Sequence, residues 1–398
     1  MIEAMIALLW LSLIIGAVGA HGWVERRARL ARVAHRGDLL PPRRAWGGEP
    51  DRPPASWVAV RMLATGARIV RSQTRVVGRS ASLRRLSRLA SLLALASAFA
   101  LLPFAGTWGG APEARALVVL DLESGLLALV FLAFLFGLAQ VLLGLSDRSE
   151  WSRIASVRVA GRGLVGLALL VLVLAALTVE TGSLRIHDLV LAQRESFAPA
   201  LWLARLAVGL GLAPDTSESL QRLGALQLPA WLILRQPLTA ILFVPAAAMC
   251  LRGAPALDTR VGSFGVTGVG LDDDPLEQQQ DRLHARLSGV LGAALFVVFF
   301  LGAGSIPGLA PERVVTALEP FVGRVIPSLG MVLAESSAFF AKLVLVVALA
   351  SRIRSASAAL RGDQWMQETL RRLVPLAWAN LLLLAALWQL GLRWEGGN

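Results

Sequence analysis

The residue whose type and position most need an explanation is Lys342, the single lysine of this chain. It lies inside the apolar run 338–350, whereas the other positively charged side chains are arginines. An ammonium group at membrane depth costs about 2.5–3.5 kcal/mol, so it needs a polar partner, a water-filled cavity or a function. Two interpretations are open from position alone. Lys342 belongs to a proton path, or it snorkels towards the lipid headgroups from near a helix end.

Side chains that bind metals or carry out redox chemistry are sparse. Cys250 is the sole cysteine, which excludes an internal disulfide and a thiolate cluster. The four histidines are scattered, at positions 21, 35, 187 and 284. No spacing for zinc, haem or iron–sulfur ligation is present, so we expect no metal site and no redox centre in this chain.

The composition places the chain in a membrane. Of its 398 residues 56% are hydrophobic, and the mean hydropathy is +0.63. Soluble domains are nearer 45–50% apolar by a similar count. The net charge of +12 comes from arginine. In a membrane protein such an excess marks cytoplasmic loops, so nucleic acid is not an expected partner.

Eight apolar runs are long enough to cross about 30 Å of hydrocarbon. They lie near 2–20, 89–106, 125–145, 157–179, 230–251, 287–306, 333–351 and 373–392. The short run 198–212 and the basic, amphipathic segment 56–79 are expected to lie in the interface. We therefore predict an all-α polytopic membrane protein, with a single membrane domain over 1–398, about eight transmembrane helices and amphipathic interfacial helices.

Loop charge gives the topology. Residues 21–88 hold sixteen arginines against four acids, and basic loops alternate with less basic ones along the chain. The positive-inside rule then places this basic loop and the 352–372 loop in the cytoplasm, with both termini on the periplasmic side of a bacterial cytoplasmic membrane. The third cytoplasmic loop, 252–286, breaks the pattern because it is acidic.

Several short blocks resemble one known family in the same order. The first loop opens with Glu25-Arg26-Arg27, continues with Arg32 and Arg36-Gly37, and is followed by Pro41-Pro42. Similar blocks follow on later spans: Leu102-Pro103-Phe104, Asp121-Leu122-Glu123, Ser183-Leu184-Arg185, Ala192-Gln193, Gln236-Pro237-Leu238, Phe339-Phe340-Ala341-Lys342 and Asp363-Gln364. Together they resemble one membrane component of bacterial NADH-quinone oxidoreductase (respiratory complex I), the component at the junction with the hydrophilic arm.

The resemblance implies a protein that holds no redox centre and contributes to binding a quinone substrate at a subunit interface. Its expected partners are the other membrane and hydrophilic-arm subunits of complex I and membrane lipids. The residues expected to frame the quinone site or to dock the arm are Glu25, Arg26, Arg27, Arg32, Arg36 and Gln236. Anionic lipid headgroups are the alternative ligand of these arginines. A structural role as charged loop residues is expected for Arg158, Arg352 and Asp363.

The chain departs from the family at acidic positions. Where the fourth span of the family carries a glutamate, this chain has Val165-Gly166-Leu167, and the acids that follow the fifth span are largely replaced. Proton coupling is therefore expected to be altered, with Lys342, Glu277 and Asp281 as candidate proton-path residues. Two other hypotheses remain open: a subunit of a membrane-bound energy-converting hydrogenase, and a stand-alone transporter or scaffold.

Overall fold

The structure is a computed structural model that describes part of the chain. The described residues are 81–104, 107–108, 115–116, 118–146, 150–194, 196–197, 228–251, 275–307, 311–323, 325–356 and 362–389. The predicted first span (2–20), the predicted amphipathic helix (56–79) and the predicted interfacial segment (198–212) lie outside them, so these three remain predictions.

Helices dominate the described part of the chain, as an all-α membrane protein requires. They are α1 (Ala81–Ala100), α2 (Gly125–Leu145), α3 (Glu150–Thr181), α4 (Ile186–Ala192), α5 (Leu232–Arg235), α6 (Pro237–Cys250), α7 (Pro275–Phe300), α8 (Pro311–Val322), α9 (Val325–Ala356), α10 (Gly362–Glu368) and α11 (Val374–Gln389). A π-helical turn, Thr369–Leu373, joins the last two.

Two very short antiparallel ladders lie in the connections between helices. Strand β1 (Thr107–Trp108) pairs with β2 (Arg115–Ala116), and β3 (Ser196–Phe197) pairs with β4 (Leu228–Pro229). Each strand has two residues, so the ladders close loops and add no sheet layer.

Five of the described helices are long and apolar enough to cross a membrane, which agrees with a polytopic membrane protein. Their apolar stretches are Gly125–Leu145, Ser152–Thr181, Leu283–Phe300, Val325–Ile353 and Gln364–Gln389. Helix α1 has arginines in its first two turns, and α6 is a shorter apolar helix. The helix at the predicted second span (89–106) begins and ends earlier than predicted, and the predicted fifth span (230–251) contains two shorter helices.

The helix bounds differ most from the prediction around the sixth span. Helix α7 begins at Pro275, so the predicted acidic loop 252–286 is helical in its second part. Proline suits the first turn of a helix because its missing N–H has no partner there. The helix ends at Phe300, before Gly302 and Ala303, which have φ values of +65° and 49°. The predicted span over 287–306 therefore begins and ends later in the sequence than the helix does.

The fifth predicted span is also interrupted. Helix α5 ends at Arg235, Gln236 has φ −133° and ψ 63°, and α6 begins at Pro237. The residue before a proline avoids the helical region for steric reasons, which explains a break at this position.

The helices pack as a bundle around a common apolar core. Helix α3 lies at its centre and contacts α2, α6 and α11, whereas α7 contacts α9. Phe243 on α6 packs against Phe296, Phe299 and Phe300 on α7, with ring centroids 5.2–6.2 Å apart within the group. These rings fix the depth of α7 against α6 near the point where α7 ends.

The bundle has two chemically different ends. One end, which we call the arginine-rich end, holds the starts of α1 and α3, the end of α9 and the segment before α11. The ends of α2 and α6 also lie there: Ser152 Oγ of α3 donates to the Gly144 carbonyl of α2 at 2.7 Å, and Thr369 Oγ1 lies 3.4 Å from Met249 Sδ of α6. The opposite end, which we call the ion-pair end, holds the end of α7, the start of α9 and the α5–α6 break.

Candidate functional site: a buried polar cluster at the ion-pair end

Lys342 does not snorkel to a surface. It lies on α9, half-buried, and its ammonium group donates three hydrogen bonds to backbone carbonyls just past the end of α7. The distances from Nζ are 2.7 Å to Leu301, 3.0 Å to Ala303 and 2.7 Å to Ser305. The face of the Trp231 ring covers the ammonium group, with 4.6 Å between Nζ and the ring centroid. Lys342 thus has the partner that an intramembrane cation needs.

The backbone turn that presents these carbonyls requires glycine. A Cβ at Gly304 would lie 2.5 Å from the Glu335 carbonyl and 2.8 Å from the Phe104 carbonyl. The positive φ of Gly302 is also a conformation that glycine adopts readily. Trp231 reaches the same turn, because its Nε1 donates to Ser305 Oγ at 3.3 Å.

A buried amide, Gln193, holds the turn from its other side. Its Oε1 accepts hydrogen bonds from the backbone N–H groups of Leu232, at 3.3 Å, and Gly302, at 3.0 Å. Its Nε2 donates to the carbonyls of Leu189, at 3.2 Å, and Val298, at 3.0 Å. A glutamine amide has two donors and an oxygen that accepts two bonds, so Gln193 uses its full capacity to tie α4, α5 and α7 together.

Two ion pairs surround this turn. Arg194 donates to Glu335 at 2.7 Å, and Arg235 pairs with Glu180. Gln236 Nε2 donates to the same Glu180 carboxylate at 3.3 Å. The side chains of Glu335 and Arg235 are only 5% and 8% exposed, so both pairs are largely removed from solvent. Buried charges are tolerated when they are paired and hydrogen-bonded.

A third pair lies in the exposed loops of the same end. Arg185 donates to Asp121, with Nε 3.0 Å from Oδ1. The hydrogen bond from Arg185 lowers the pKa of Asp121 below its ordinary value. Burial lowers the pKa of the neighbouring His187; Asp121 and Asp188 oppose this shift, while Arg185 and Arg194 add to it. The neutral imidazole is thereby favoured in the folded protein.

The segment Val165-Gly166-Leu167, which stands where the family carries a glutamate, includes a tight helix crossing. A Cβ at Gly166 of α3 would lie 2.5 Å from Met249 Cβ and 3.0 Å from the Cys250 backbone nitrogen of α6. Small residues allow such close approach of helices in membranes. The two backbones therefore meet within this segment, and a side chain as small as alanine would already be crowded at Gly166.

The predicted site residues are distributed over both ends. Arg158 and Arg352 are exposed at the arginine-rich end, and Gln236 lies at the ion-pair end. Glu277 and Asp281 lie on α7 and Asp363 on α10, but their side chains are outside the described set. The first-loop candidates also lie outside the described residues: Glu25, Arg26, Arg27, Arg32 and Arg36.

Sequence reasoning did not find most of the polar cluster. The four residues of the two buried ion pairs are not among the predicted site residues: Arg194, Glu335, Arg235 and Glu180. Within the described part of the chain, no group of three His, Cys, Asp or Glu side chains could hold a metal ion.

A family model described as NADH dehydrogenase matches residues 57–255, which is half of the chain. The chain belongs to this family. It is a membrane subunit of the NADH:quinone oxidoreductase complex, of the type that the sequence blocks indicated. No protein with a curated description matches it in sequence. The matched region contains α1 to α6, including Gln193, Arg235 and the α3–α6 crossing.

Proposed function

We propose that this complex I protein seats the hydrophilic arm on its arginine-rich end and contributes to the quinone site there. The observation that carries the proposal is the separation of charge between the two ends of the bundle. Exposed arginines at one end include Arg85, Arg153, Arg158, Arg352, Arg371 and Arg372. Three carboxylates at the other end, Asp121, Glu180 and Glu335, are each paired with an arginine. At the arginine-rich end Glu368 pairs with Arg372, with Nε 3.0 Å from Oε2.

The positive-inside rule supports a cytoplasmic position for the arginine-rich end. The hydrophilic arm of the family lies on that side, so exposed guanidinium groups would meet acidic surfaces of the arm. Arginine suits such contacts because its planar group binds carboxylates through two parallel hydrogen bonds. Glu25, Arg26, Arg27, Arg32 and Arg36 belong to the same proposed surface through the sequence resemblance.

Quinone is proposed to bind at the arginine-rich end as well. In the family, electrons reach quinone from an iron–sulfur cluster on a neighbouring subunit, so quinone must approach the arm. Gln236 precedes the first residue of α6, at the ion-pair end, and donates to Glu180. It therefore lies at the opposite end of the bundle from the proposed position of quinone.

We also propose that proton coupling does not run through the α3–α6 crossing. The tight contact at Gly166 supports this, because a proton path needs either a titratable group or room for water. Glu277 and Asp281 stay the proposed alternative, since they lie on α7 towards the arginine-rich end. Lys342 is the third candidate from the sequence.

Affinity purification in mild detergent, followed by mass spectrometry and an NADH:quinone activity assay, tests the proposed placement in a quinone-reducing complex. Recovery of arm subunits with quinone reductase activity supports it; recovery with hydrogenase subunits or alone would refute it. For coupling, Glu277→Gln and Asp281→Asn should reduce proton uptake per NADH in vesicles, while Glu319→Gln, on exposed α8, should not. Unchanged proton uptake in both variants would remove them from the path.

A further inference from the structure

The end of α7 presents an arrangement of oxygen atoms that resembles a cation site. The carbonyls of Leu301, Ala303 and Ser305 converge on one point, at 2.7–3.0 Å from Lys342 Nζ. They follow directly after the last residue of α7, where the helix dipole concentrates partial negative charge. The ring face of Trp231 closes the arrangement 4.6 Å away and adds a cation–π contact.

We propose that these three carbonyls and the Trp231 ring form a binding site for a small monovalent cation, which the tethered ammonium group of Lys342 fills. Rings of backbone carbonyls replace the hydration shell of potassium in channels. The C-terminal ends of broken helices coordinate sodium in transporters. The break after Phe300 creates the same chemistry here, and the protein supplies the cation from its own α9.

The protonation state follows from the hydrogen bonds. An ammonium group has three N–H donors and no acceptor, and each donor here has one carbonyl. Loss of a proton would leave a carbonyl of this turn without its donor and remove the charge that the ring and the helix end attract. While it carries its charge, Lys342 satisfies all three carbonyls and acts as a positioning residue for the turn.

The ammonium group of Lys342 links separate segments of the chain. Lys342 ties α9 to the end of α7, and Trp231 brings in the segment before α5. Gln193 holds Gly302 of the same turn from the opposite side. If the cation is removed, the carbonyls repel one another and the turn loses its link to α9, so the assembled complex should dissociate more readily.

Replacement of the tethered cation by a free one tests the proposal. Lys342→Ala removes the ammonium group and leaves space, whereas Lys342→Met removes the charge but keeps the space filled. Leu345→Ala, at an exposed position of the same helix, is the control for truncation. Membranes that contain the complex are heated, and the temperature at which this protein leaves the complex is read on native gels in potassium, methylammonium or choline chloride at equal ionic strength.

The expected result is a lower dissociation temperature for Lys342→Ala that rises in a saturable manner with methylammonium or potassium. Choline is too bulky for the site formed by the three carbonyls and the Trp231 ring, so it should not raise the dissociation temperature. Lys342→Met should be destabilised and recover in none of the three salts, and Leu345→Ala should not respond to the choice of cation. An unchanged dissociation temperature in Lys342→Ala would overturn the proposal, as would the same salt response in the alanine and methionine variants.

A second variant covers the case in which Lys342→Ala does not assemble. Trp231→Leu keeps Lys342 and its three hydrogen bonds but removes both the ring face and the Nε1 hydrogen bond to Ser305 Oγ. It should lower the dissociation temperature and increase amide hydrogen exchange over 301–305 in the purified complex. No change in either quantity would overturn the proposal. Both measurements are independent of where quinone or the arm binds, so their failure is distinguishable from failure of the proposed function.

Discussion

Loss of one partner from the Arg194–Glu335 pair should destabilise the protein far more than loss of an exposed pair. The atoms are 2.7 Å apart, and the side chains are 18% and 5% exposed. Removal of one partner from a buried pair costs about 3–5 kcal/mol, because the other charge stays buried without compensation. The matched control is Arg185–Asp121, whose arginine is 41% exposed. Exposed pairs contribute about 0–1 kcal/mol.

The perturbations are Glu335→Gln, Arg194→Met, the double variant, and Arg185→Gln as control. At roughly 2 °C per kcal/mol for a large domain, either buried single variant should lower the midpoint of thermal dissociation by about 6 °C or more. Arg185→Gln should lower it by about 2 °C or less. The double variant should be less destabilised than the sum of the two single variants, because no unpaired charge remains.

The assay is thermal dissociation of the complex in native membranes, read on native gels, with expression of each variant checked beforehand. Two results would refute the reasoning. One is a pair of single variants whose midpoints match that of Arg185→Gln. The other is a double variant whose loss equals the sum of the single losses, since the two side chains would then act independently.

Three further predictions use the same assay. Gly166→Ala should lower the stability by about 1–3 kcal/mol because the α3–α6 crossing has no space for a Cβ. The control is Gly163→Ala, where a Cβ would meet nothing within 4 Å, so this variant should be neutral or stabilising. Equal losses in the two variants would contradict the tight crossing at Gly166. The pKa of His187 is lowered by burial, so its contribution to stability is present above a pH of about 6.5 and lost as pH falls through the folded value. Between pH 8 and pH 5.5 the wild type should therefore lose more stability than His187→Gln, and parallel curves would contradict this. Asn380→Ala removes a buried 2.9 Å hydrogen bond to Thr239 and should lower the stability by about 1–2 kcal/mol. Adding Thr239→Val to this variant should cause no further loss of stability. Additive losses would argue against the hydrogen bond.

Hydropathy predicted the helix α2 to the residue because polar signals bound it on both sides. The predicted run 125–145 lies between Ser124 and Ser146, and the helix has those limits. The start of α7 was missed because residues 275–286 are polar, so a hydropathy criterion does not detect them. A proline at the first position and Glu277 in the first turn are local signals that could have placed the start.

The polar cluster could not be predicted in this way because its contacts join distant parts of the chain. Arg194 and Glu335 are 141 residues apart, and the Ala192-Gln193 block before Arg194 does not indicate which residue Arg194 pairs with. Lys342 was recognised from its type and surroundings, but its partners are backbone carbonyls, which leave no trace in residue identity. The Gly302-Ala303-Gly304 sequence was the available signal, since glycines close together after an apolar helix indicate a sharp turn.

Site-specific photo-crosslinking in the assembled complex tests the central claim, that the arginine-rich end seats the hydrophilic arm. A photo-reactive phenylalanine analogue replaces Arg371 at that end and, in a second variant, Arg185 at the ion-pair end. Both side chains lie outside the buried core, so the substitutions should leave the protein folded. We expect cross-links from position 371 to arm subunits, identified by mass spectrometry, and none from position 185. Cross-links to the arm from position 185 but none from position 371 would contradict the claim.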